Sequence, residues 1–305
     1  MAARRVVFLV NPAAANGSTG RRWPELAHRA AAAGLEGDTL FSSRPGHLAE
    51  LAQEAALDGA GLLVVVGGDG SVNEVANGLA GLSVQPELAI VARGTGWDFV
   101  RTFGIPRRIE DAVRVALNGA TRTIDLGRAG YRAWDGGEAQ AVFANVASAG
   151  MSGAVAQRAN ETTKALGGKV SYLWATLAVF AGWSATEVRV TVDDEVREGT
   201  MFDVVVANGR YFGGGLEICP EAEPDDGIFD VLLIGDITKR DLMQTMPRIY
   251  RGTHLPHPKA ELLRGRAVTI ETEPPLPVQL DGEQPGTTPA RFEAVPRALR
   301  LRVPA

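Results

Sequence analysis

Three segments of glycine and other small residues contain side chains that could do chemistry. Each segment follows an apolar run. They are Gly67-Gly68-Asp69-Gly70-Ser71, Gly94-Thr95-Gly96 and the loop from Asn11 to Gly17. Glycine lets a backbone approach an anion closely, and the first turn of a helix points free N–H groups at it. If the apolar runs are parallel strands, the three segments gather at one sheet edge and predict a nucleotide site.

Asp69 is the residue of the central segment that an ordinary turn does not explain. The spacing of Ser71 and Glu74 predicts a capping box for the following helix. A carboxylate beside a phosphate loop repels phosphate unless a cation lies between them, so Asp69 indicates Mg²⁺, held directly or through water. No lysine lies near these segments, so backbone N–H groups and Mg²⁺ must neutralise most of the phosphate charge. Arg93 could reach a phosphate or pair with a surface carboxylate, and both possibilities stay open.

The elements around these segments predict an α/β fold with two domains. Residues 1–124 alternate short apolar runs with helical patterns, which predicts a Rossmann-like parallel sheet in a nucleotide domain. Residues 125–305 show period-two alternation, which predicts an antiparallel β-sandwich with a helical insertion at about 157–183. A last strand at about 298–303 could belong to either domain, and it could pack on the first.

Composition excludes several classes of protein. The net charge of −5 without a basic run disfavours a nucleic-acid partner. Cys219 is the one cysteine, so no intramolecular disulfide can form, which fits a cytoplasmic protein. The longest apolar stretch, Val170 to Trp183, has 14 residues and is too short to span a bilayer. We therefore expect at most a peripheral contact with the inner face of a membrane.

Five sequence blocks, in this order, resemble the diacylglycerol kinase catalytic-domain family, which also covers sphingosine kinases and bacterial lipid kinases. The resemblance runs nearly end to end. The blocks are NPAAANG at 11–17, GGDGSVNEVANGL at 67–79, RGTGWDFVRTFGIP at 93–106, ANGRYFGGGLEICPEAEPDDGIFDV at 207–231 and LDGE at 280–283. The resemblance implies a fold like that of NAD kinases, with a cleft between the two domains. It also implies transfer of the γ-phosphate of ATP to a lipid hydroxyl, with diacylglycerol as the leading substrate and phospholipid biosynthesis as the setting.

The resemblance also implies roles for individual residues. The proton acceptor falls in the LDGE block, where Glu283 is favoured and Asp281 comes next, while Asp69 acts on the phosphate charge. A structural Mg²⁺ maps to the Asp226 side chain and the carbonyl groups of Glu223 and Ile228. The implied nucleotide contacts are Asn11, Pro12, Ala13, Ala14, Ala15, Ser42, Gly68, Asp69, Gly70, Ser71, Val72, Asn73, Glu74 and Thr95.

Two departures from the family pattern leave the substrates open. Ala92 stands where the family has proline, and Trp97 stands where it has asparagine. Because tryptophan offers a ring face and one donor but no acceptor, the preference for ATP over another nucleotide stays open. The acceptor could also be a sphingoid, isoprenoid or soluble alcohol, or the protein could be a non-catalytic nucleotide or lipid sensor. A homodimer is also left open.

Overall fold

The computed structural model describes residues 4–94, 96–161, 179–180 and 182–305. Thr95 and most of the predicted helical insertion, residues 162–178, lie outside these ranges. The chain divides into two compact units. One contains the residues up to Ile124 together with Arg297–Ala305, and the other contains Asp125–Pro296.

The first unit alternates strands and helices. Its elements are β1 (Val6–Val10), α1 (Ser18–Ala32), β2 (Asp38–Phe41), α2 (His47–Leu57), β3 (Leu62–Gly67), α3 (Asp69–Leu79), β4 (Glu87–Ala92), α4 (Asp98–Thr102) and α5 (Ile109–Asn118). The strands pair in parallel in the order β2-β1-β3-β4. All six residues of β3 are buried, as expected of a strand covered on both faces.

Alternate residues of these strands pack under α1 and α5. Val10, Val66 and Val91 belong to one buried cluster, which also contains Trp23 of α1 and Val113 of α5. Because side chains alternate between the faces of a strand, Arg93, two residues after Val91, continues on the face that α1 covers. The sheet thus brings the ends of β1, β3 and β4 to one edge, with α1 beside them.

The second unit is rich in antiparallel strands. Its elements are β5 (Ala120–Ala133, which begins in the first unit), β6 (Glu138–Phe143), β7 (Val146–Gly150), α6 (Met151–Glu161), β8 (Thr186–Val192), β9 (Glu195–Ala207), β10 (Tyr211–Phe212), β11 (Leu216–Glu217), β12 (Phe229–Gly235), α7 (Lys239–Ile249), β13 (Ala260–Gly265), β14 (Ala267–Thr272), β15 (Pro277–Leu280) and β16 (Glu283–Val303, which ends in the first unit).

Two long strands give this unit its shape. One half of β9 pairs with β8 and the other with β7, while β16 pairs with both β15 and β14. With the β7–β15 and β8–β14 pairs, the strands close a ring around a core that contains Phe143, Phe229 and Phe292. The chain is therefore α/β with a β-rich second unit, and the parallel pairs lie in the first.

The structure also contains elements that the sequence pattern did not predict. β2 is a four-residue strand without a buried residue, and its two apolar residues, Leu40 and Phe41, are too few to predict a strand. α7 is marked by a capping box of Thr238 and Asp241, which is readable in the sequence as T-x-x-D. Within the described ranges, no helix combines the length and apolar character needed to cross a bilayer.

Candidate active site

The ends of β1, β3 and β4 are joined by hydrogen bonds at the glycine-rich edge. The Asn11 backbone N–H donates to the Val66 carbonyl at 3.0 Å, and the Arg93 N–H donates to the Gly67 carbonyl at 2.6 Å. The Asn11 side-chain amide also donates to Ser71 Oγ at 3.0 Å. The three segments predicted to form one site are therefore neighbours along this edge.

Close packing at this edge favours glycine at two positions. A Cβ added to Gly67 would lie closer than 3.0 Å to the Ser71 side chain, and one added to Gly94 would lie 3.0 Å from Gly68 Cα. The cavity lined by Gly67, Asp69, Val72 and Trp97 measures only about 10 Å³, which is about the space of one water molecule. A nucleotide would therefore lie against the outside of these loops.

Asp69 joins the two glycine segments. Its Oδ2 accepts the Trp97 backbone N–H at 2.9 Å and its Oδ1 accepts the Phe99 N–H at 3.0 Å. Since Phe99 lies in the first turn of α4, Asp69 satisfies donors that the start of a helix leaves open. A carboxylate has about four lone-pair sites, so each oxygen can still face a further donor or a cation.

The capping box predicted for Ser71 and Glu74 is wrong. α3 begins at Asp69 after Gly68, without a side-chain cap, so Ser71 already lies inside the helix. Glu74 Oε2 instead accepts the Leu48 N–H at 3.1 Å, at the start of α2. The local pattern failed because a donor from another helix competes for the carboxylate.

The remaining predicted nucleotide residues lie on the same elements. Pro12, Ala13, Ala14 and Ala15 form the loop after β1, in which the Ala13 N–H donates to Asn11 Oδ1 at 3.0 Å. In this loop Ala15 has a positive φ of 52°. The others are Gly70, Val72 and Asn73 in α3, and Ser42, which is buried and donates its N–H to the Val10 carbonyl.

Arg93 places a cation at this edge. Its guanidinium donates to Ser18 Oγ, in the first turn of α1, at a long 3.4 Å, while its buried Nε has no partner. In the described part of the chain it pairs with no carboxylate. Burial lowers the pKa of Arg93, and the positive charges of Arg22 and Arg29 lower that pKa further, against a smaller opposite effect of Glu25.

The Trp97 side chain and backbone connect the second glycine segment to α4. It takes a positive φ of 66° as the N-cap residue of α4, and its indole N–H donates to the Gly94 carbonyl at 2.7 Å. The Arg107 guanidinium lies over its ring, 4.6 Å from the centroid. The one hydrogen-bond donor of this side chain is therefore used inside the loop.

Asp281 and Glu283, in the second unit, differ in their surroundings. The Asp281 carboxylate accepts the consecutive N–H groups of Ala144, Asn145 and Val146 at 2.7–2.9 Å. Asp281 and Gly282 both have positive φ, and Glu283 is exposed after this turn. Asp281 thus fixes the turn, whereas Glu283 stands at an exposed position beside it.

The residues predicted to hold a structural metal lie in one turn of the second unit. The Glu223 carbonyl accepts the Asp225 and Asp226 N–H groups, and Asp226 Oδ1 accepts the Ile228 N–H at 3.1 Å. Burial raises the pKa of Asp226, and the charge of Asp125 raises it further. A cation would relieve this repulsion, so the turn fits Mg²⁺ electrostatically. No group of three His, Cys, Asp or Glu side chains among the described residues could hold a metal without other ligands.

Sequence reasoning missed the polar residues that organise the second unit. Asp125, almost fully buried, accepts the Gly227 N–H at 2.7 Å. The Asn208 side chain donates to the carbonyl groups of Asp125 and Ala144. Asn208 lies in the block that resembles the family, but only a buried position distinguishes it from a surface asparagine, and the sequence alone does not give burial.

Comparison with known proteins gives matches over both units. Residues 5–129 match the family model described as "Diacylglycerol kinase catalytic domain", and residues 145–303 match "YegS C-terminal NAD kinase beta sandwich-like domain". The chain is 33% identical over 276 residues to a Pseudomonas aeruginosa protein named "Probable lipid kinase YegS-like", covering 90% of this chain and 86% of that protein. It is 26% identical to the Bacillus subtilis "Diacylglycerol kinase", covering 99% and 97%.

Solved structures show the same likeness. A candidate diacylglycerol kinase from Bacillus anthracis superposes with a TM-score of 0.80 at 26% identity, covering 98% of this chain and 95% of that one. Yeast NADH kinase has a TM-score of 0.53 at 12% identity, covering 96% and 78%, and therefore shows the fold alone. The two family models together span most of the sequence, so the chain belongs to the diacylglycerol kinase catalytic-domain family and is a phosphotransferase with an alcohol acceptor.

Proposed function

We propose that the protein is a lipid kinase that transfers the γ-phosphoryl group of ATP to the hydroxyl group of diacylglycerol, giving phosphatidic acid. Family membership and the names of the relatives, which are those of lipid kinases, support a lipid acceptor. The first unit would be the Rossmann-like nucleotide domain, and the second would hold the lipid. The acceptor would be reached at a membrane surface.

The observation that carries the nucleotide half of this proposal is the unpaired Arg93 guanidinium at the glycine-rich edge. Burial removes water from this cation, and within the described residues no carboxylate replaces it. A phosphate group beside the guanidinium would supply a negative charge that this cation lacks. The glycines beside it leave room for that phosphate to approach the backbone.

The other residues divide the work of phosphoryl transfer. When bound, Mg²⁺ would neutralise charge on the phosphates, and Asp69 is the carboxylate of this edge that fits it. The N–H groups in the first turn of α3 would face the phosphates. Glu283 would accept the proton of the lipid hydroxyl, and Asp281 would hold the turn that presents Glu283.

A transfer assay with labelled ATP or GTP tests this function on diacylglycerol, sphingosine, an isoprenoid alcohol and soluble alcohols. We expect transfer from ATP to diacylglycerol. Transfer to soluble alcohols alone would eliminate the lipid acceptor. If no acceptor is phosphorylated although Mg·ATP binds, the protein is a sensor rather than an enzyme.

Arg93→Gln tests the phosphate contact directly. We expect the affinity for Mg·ATP, measured by isothermal titration calorimetry, to fall about tenfold or more, because a charge-assisted hydrogen bond is lost. Thermal stability should stay equal or rise, since a partly buried cation without an ion-pair partner is removed. The matched control is Arg114→Gln on α5, an exposed arginine that pairs with Asp111. Equal losses in both variants would refute a specific role for Arg93.

A further inference from the structure

α7 packs on the second unit with one side only. Leu242 and Ile249 are buried in an apolar cluster, and Met246 packs against it. The helix starts with a complete capping box, in which Thr238 Oγ1 accepts the Asp241 N–H and the Asp241 carboxylate accepts the Thr238 N–H. The helix is therefore well fixed, and its orientation decides which residues face outward.

The outward side of α7 and its C-terminal end combines large apolar with basic side chains. Met243 is 72% exposed and Tyr250 is 54% exposed, the two highest exposed fractions of large apolar residues on this helix and its cap. They are one heptad apart and so lie on one side of the helix. Arg240, Arg248 and Arg251 are exposed beside them. These five residues are called the docking face below.

The charges of the docking face are open to a partner. Arg240, Arg248 and Arg251 form no ion pair within the described part of the chain. Arginines elsewhere commonly have a carboxylate partner, as in the Arg29–Glu110 pair. Three unpaired cations in a chain of net charge −5 are complementary to an anionic surface.

We propose that the docking face binds an anionic lipid bilayer, with Met243 and Tyr250 entering the headgroup region and the arginines contacting lipid phosphates. Apolar and aromatic side chains between basic ones are typical of helices that lie in a membrane interface. The choice of a bilayer over an acidic protein or nucleic acid rests on the proposed function, which places the substrate in a membrane. Docking itself requires no catalysis.

Vesicle sedimentation of the full chain tests the docking face. The vesicles are phosphatidylcholine alone or phosphatidylcholine mixed with phosphatidylglycerol. We expect binding to the mixed vesicles only, weakened by salt. Combined Arg240→Gln, Arg248→Gln and Arg251→Gln should weaken it about a hundredfold, since each arginine near an anionic surface contributes about fivefold. Met243→Asp should also weaken it.

A matched variant removes the same charge from exposed arginines elsewhere, at Arg108, Arg114 and Arg291, which are 80%, 70% and 67% exposed. It should bind vesicles much more tightly than the docking-face variant, and both should melt at the wild-type temperature. Equal vesicle binding by the two triple variants, or binding of the wild type to polyanions but not to mixed vesicles, overturns the proposal.

Activity separates this proposal from the proposed function. The docking-face variant should phosphorylate a dispersed short-chain diacylglycerol at the wild-type rate and lose turnover on vesicles. If the wild type phosphorylates no lipid in either form, yet vesicle binding depends on the docking face, the proposed function fails and the docking site stands.

Discussion

At the scale of single residues, three carboxylates predicted to be site residues differ in what their oxygens contact. Asp69 and Asp281 use their oxygens on backbone N–H groups, two and three of them respectively. Such contacts fix a carboxylate and the loops around it. Glu283 follows a turn that is held in this way and is exposed. We therefore propose that Asp281 positions its turn, that Asp69 fixes its loops while facing the cation, and that Glu283 transfers the proton.

A pair of isosteric substitutions distinguishes these roles. Glu283→Gln should lower kcat by about 10²–10⁴-fold, as expected for loss of a general base, with the melting temperature unchanged. Asp281→Asn should lower the free energy of unfolding by about 1–3 kcal/mol, because the amide cannot accept all three N–H groups. Steady-state kinetics and chemical denaturation measure the two effects. A stable Asp281→Asn variant with the larger loss of kcat would reverse the assignment.

At the scale of elements, neighbouring glycines at the end of β3 have different reasons to be glycine. Gly67 lies against the Ser71 side chain, whereas a Cβ on Gly68 would make only ordinary contacts at 3.6 Å. Gly68 has φ −95° and ψ −170°, a conformation open to any residue. Packing therefore requires the first glycine, and only a ligand would require the second.

Alanine at each position tests this difference. Gly67→Ala should lower the free energy of unfolding by about 1–3 kcal/mol through overpacking against Ser71. Gly68→Ala should leave the melting temperature unchanged but weaken Mg·ATP binding, because its methyl group would lie where the phosphates approach. Thermal melts and calorimetric titration provide the readouts. Unchanged affinity in Gly68→Ala would place the phosphates elsewhere.

The start of α6 depends on a buried acid. Asp203 Oδ1 accepts from the Ser152 hydroxyl at 3.0 Å, and its Oδ2 accepts the Ser152 N–H at 3.2 Å. Ser152 Oγ also lies 2.6 Å from Ser148 Oγ. Burial raises the pKa of Asp203 from 3.8 to about 7, against the smaller opposite effect of these hydrogen bonds. Between pH 3.8 and about 7, Asp203 therefore keeps its proton in the folded chain but loses it in the unfolded chain.

Stability should depend on pH through this group. The contribution of protonated Asp203 is complete below its unfolded pKa of 3.8 and is lost as the pH rises through about 7. Relative to Asp203→Asn, which does not titrate, the wild type should lose a few kcal/mol of unfolding free energy over that range. Urea denaturation of both proteins at several pH values measures this difference. Parallel curves would show that Asp203 ionises over the same pH range in the folded and unfolded chains.

At the scale of the whole molecule, the last strand, β16, leads from the second unit back into the first. β16 starts in the second unit, and its last residues pair in parallel with β4, with Leu301 opposite Leu88. Leu299 and Leu301 are buried, and the Gly119 backbone packs against the Val303 carbonyl. The first unit thus needs residues from both ends of the sequence.

Leu301→Ala tests how much the first unit depends on packing by the end of β16. We expect the free energy of unfolding to fall by about 2–5 kcal/mol, because a fully buried leucine leaves a cavity. Hydrogen exchange should accelerate in β4, the strand that pairs with the segment containing Leu301. The control is Val196→Ala, at a position 41% exposed, which should change stability by about 0.5 kcal/mol or less. Unchanged exchange in β4 would mean that this strand does not depend on the Leu301 side chain.

Local sequence patterns were enough to locate the glycine-rich edge, the family and the change from helix-separated strands to period-two strands. Glycine at a turn, an apolar run and the spacing of a motif all act within a few residues, so each can be recognised without the fold. Period-two alternation predicted β8 and β14 for the same reason. The short strand β2, with only two apolar residues, gave too weak a signal to be predicted.

The pairing of polar groups, in contrast, depends on the folded chain. Asp69 meets a donor 28 residues away, and Asp281 meets one 137 residues away. Glu74 caps α2 rather than its own helix, and Arg93 forms no ion pair within the described residues. Each outcome depends on which distant segment packs nearby and on how much water is excluded there. The spacing of residues along the chain determines neither of these two conditions.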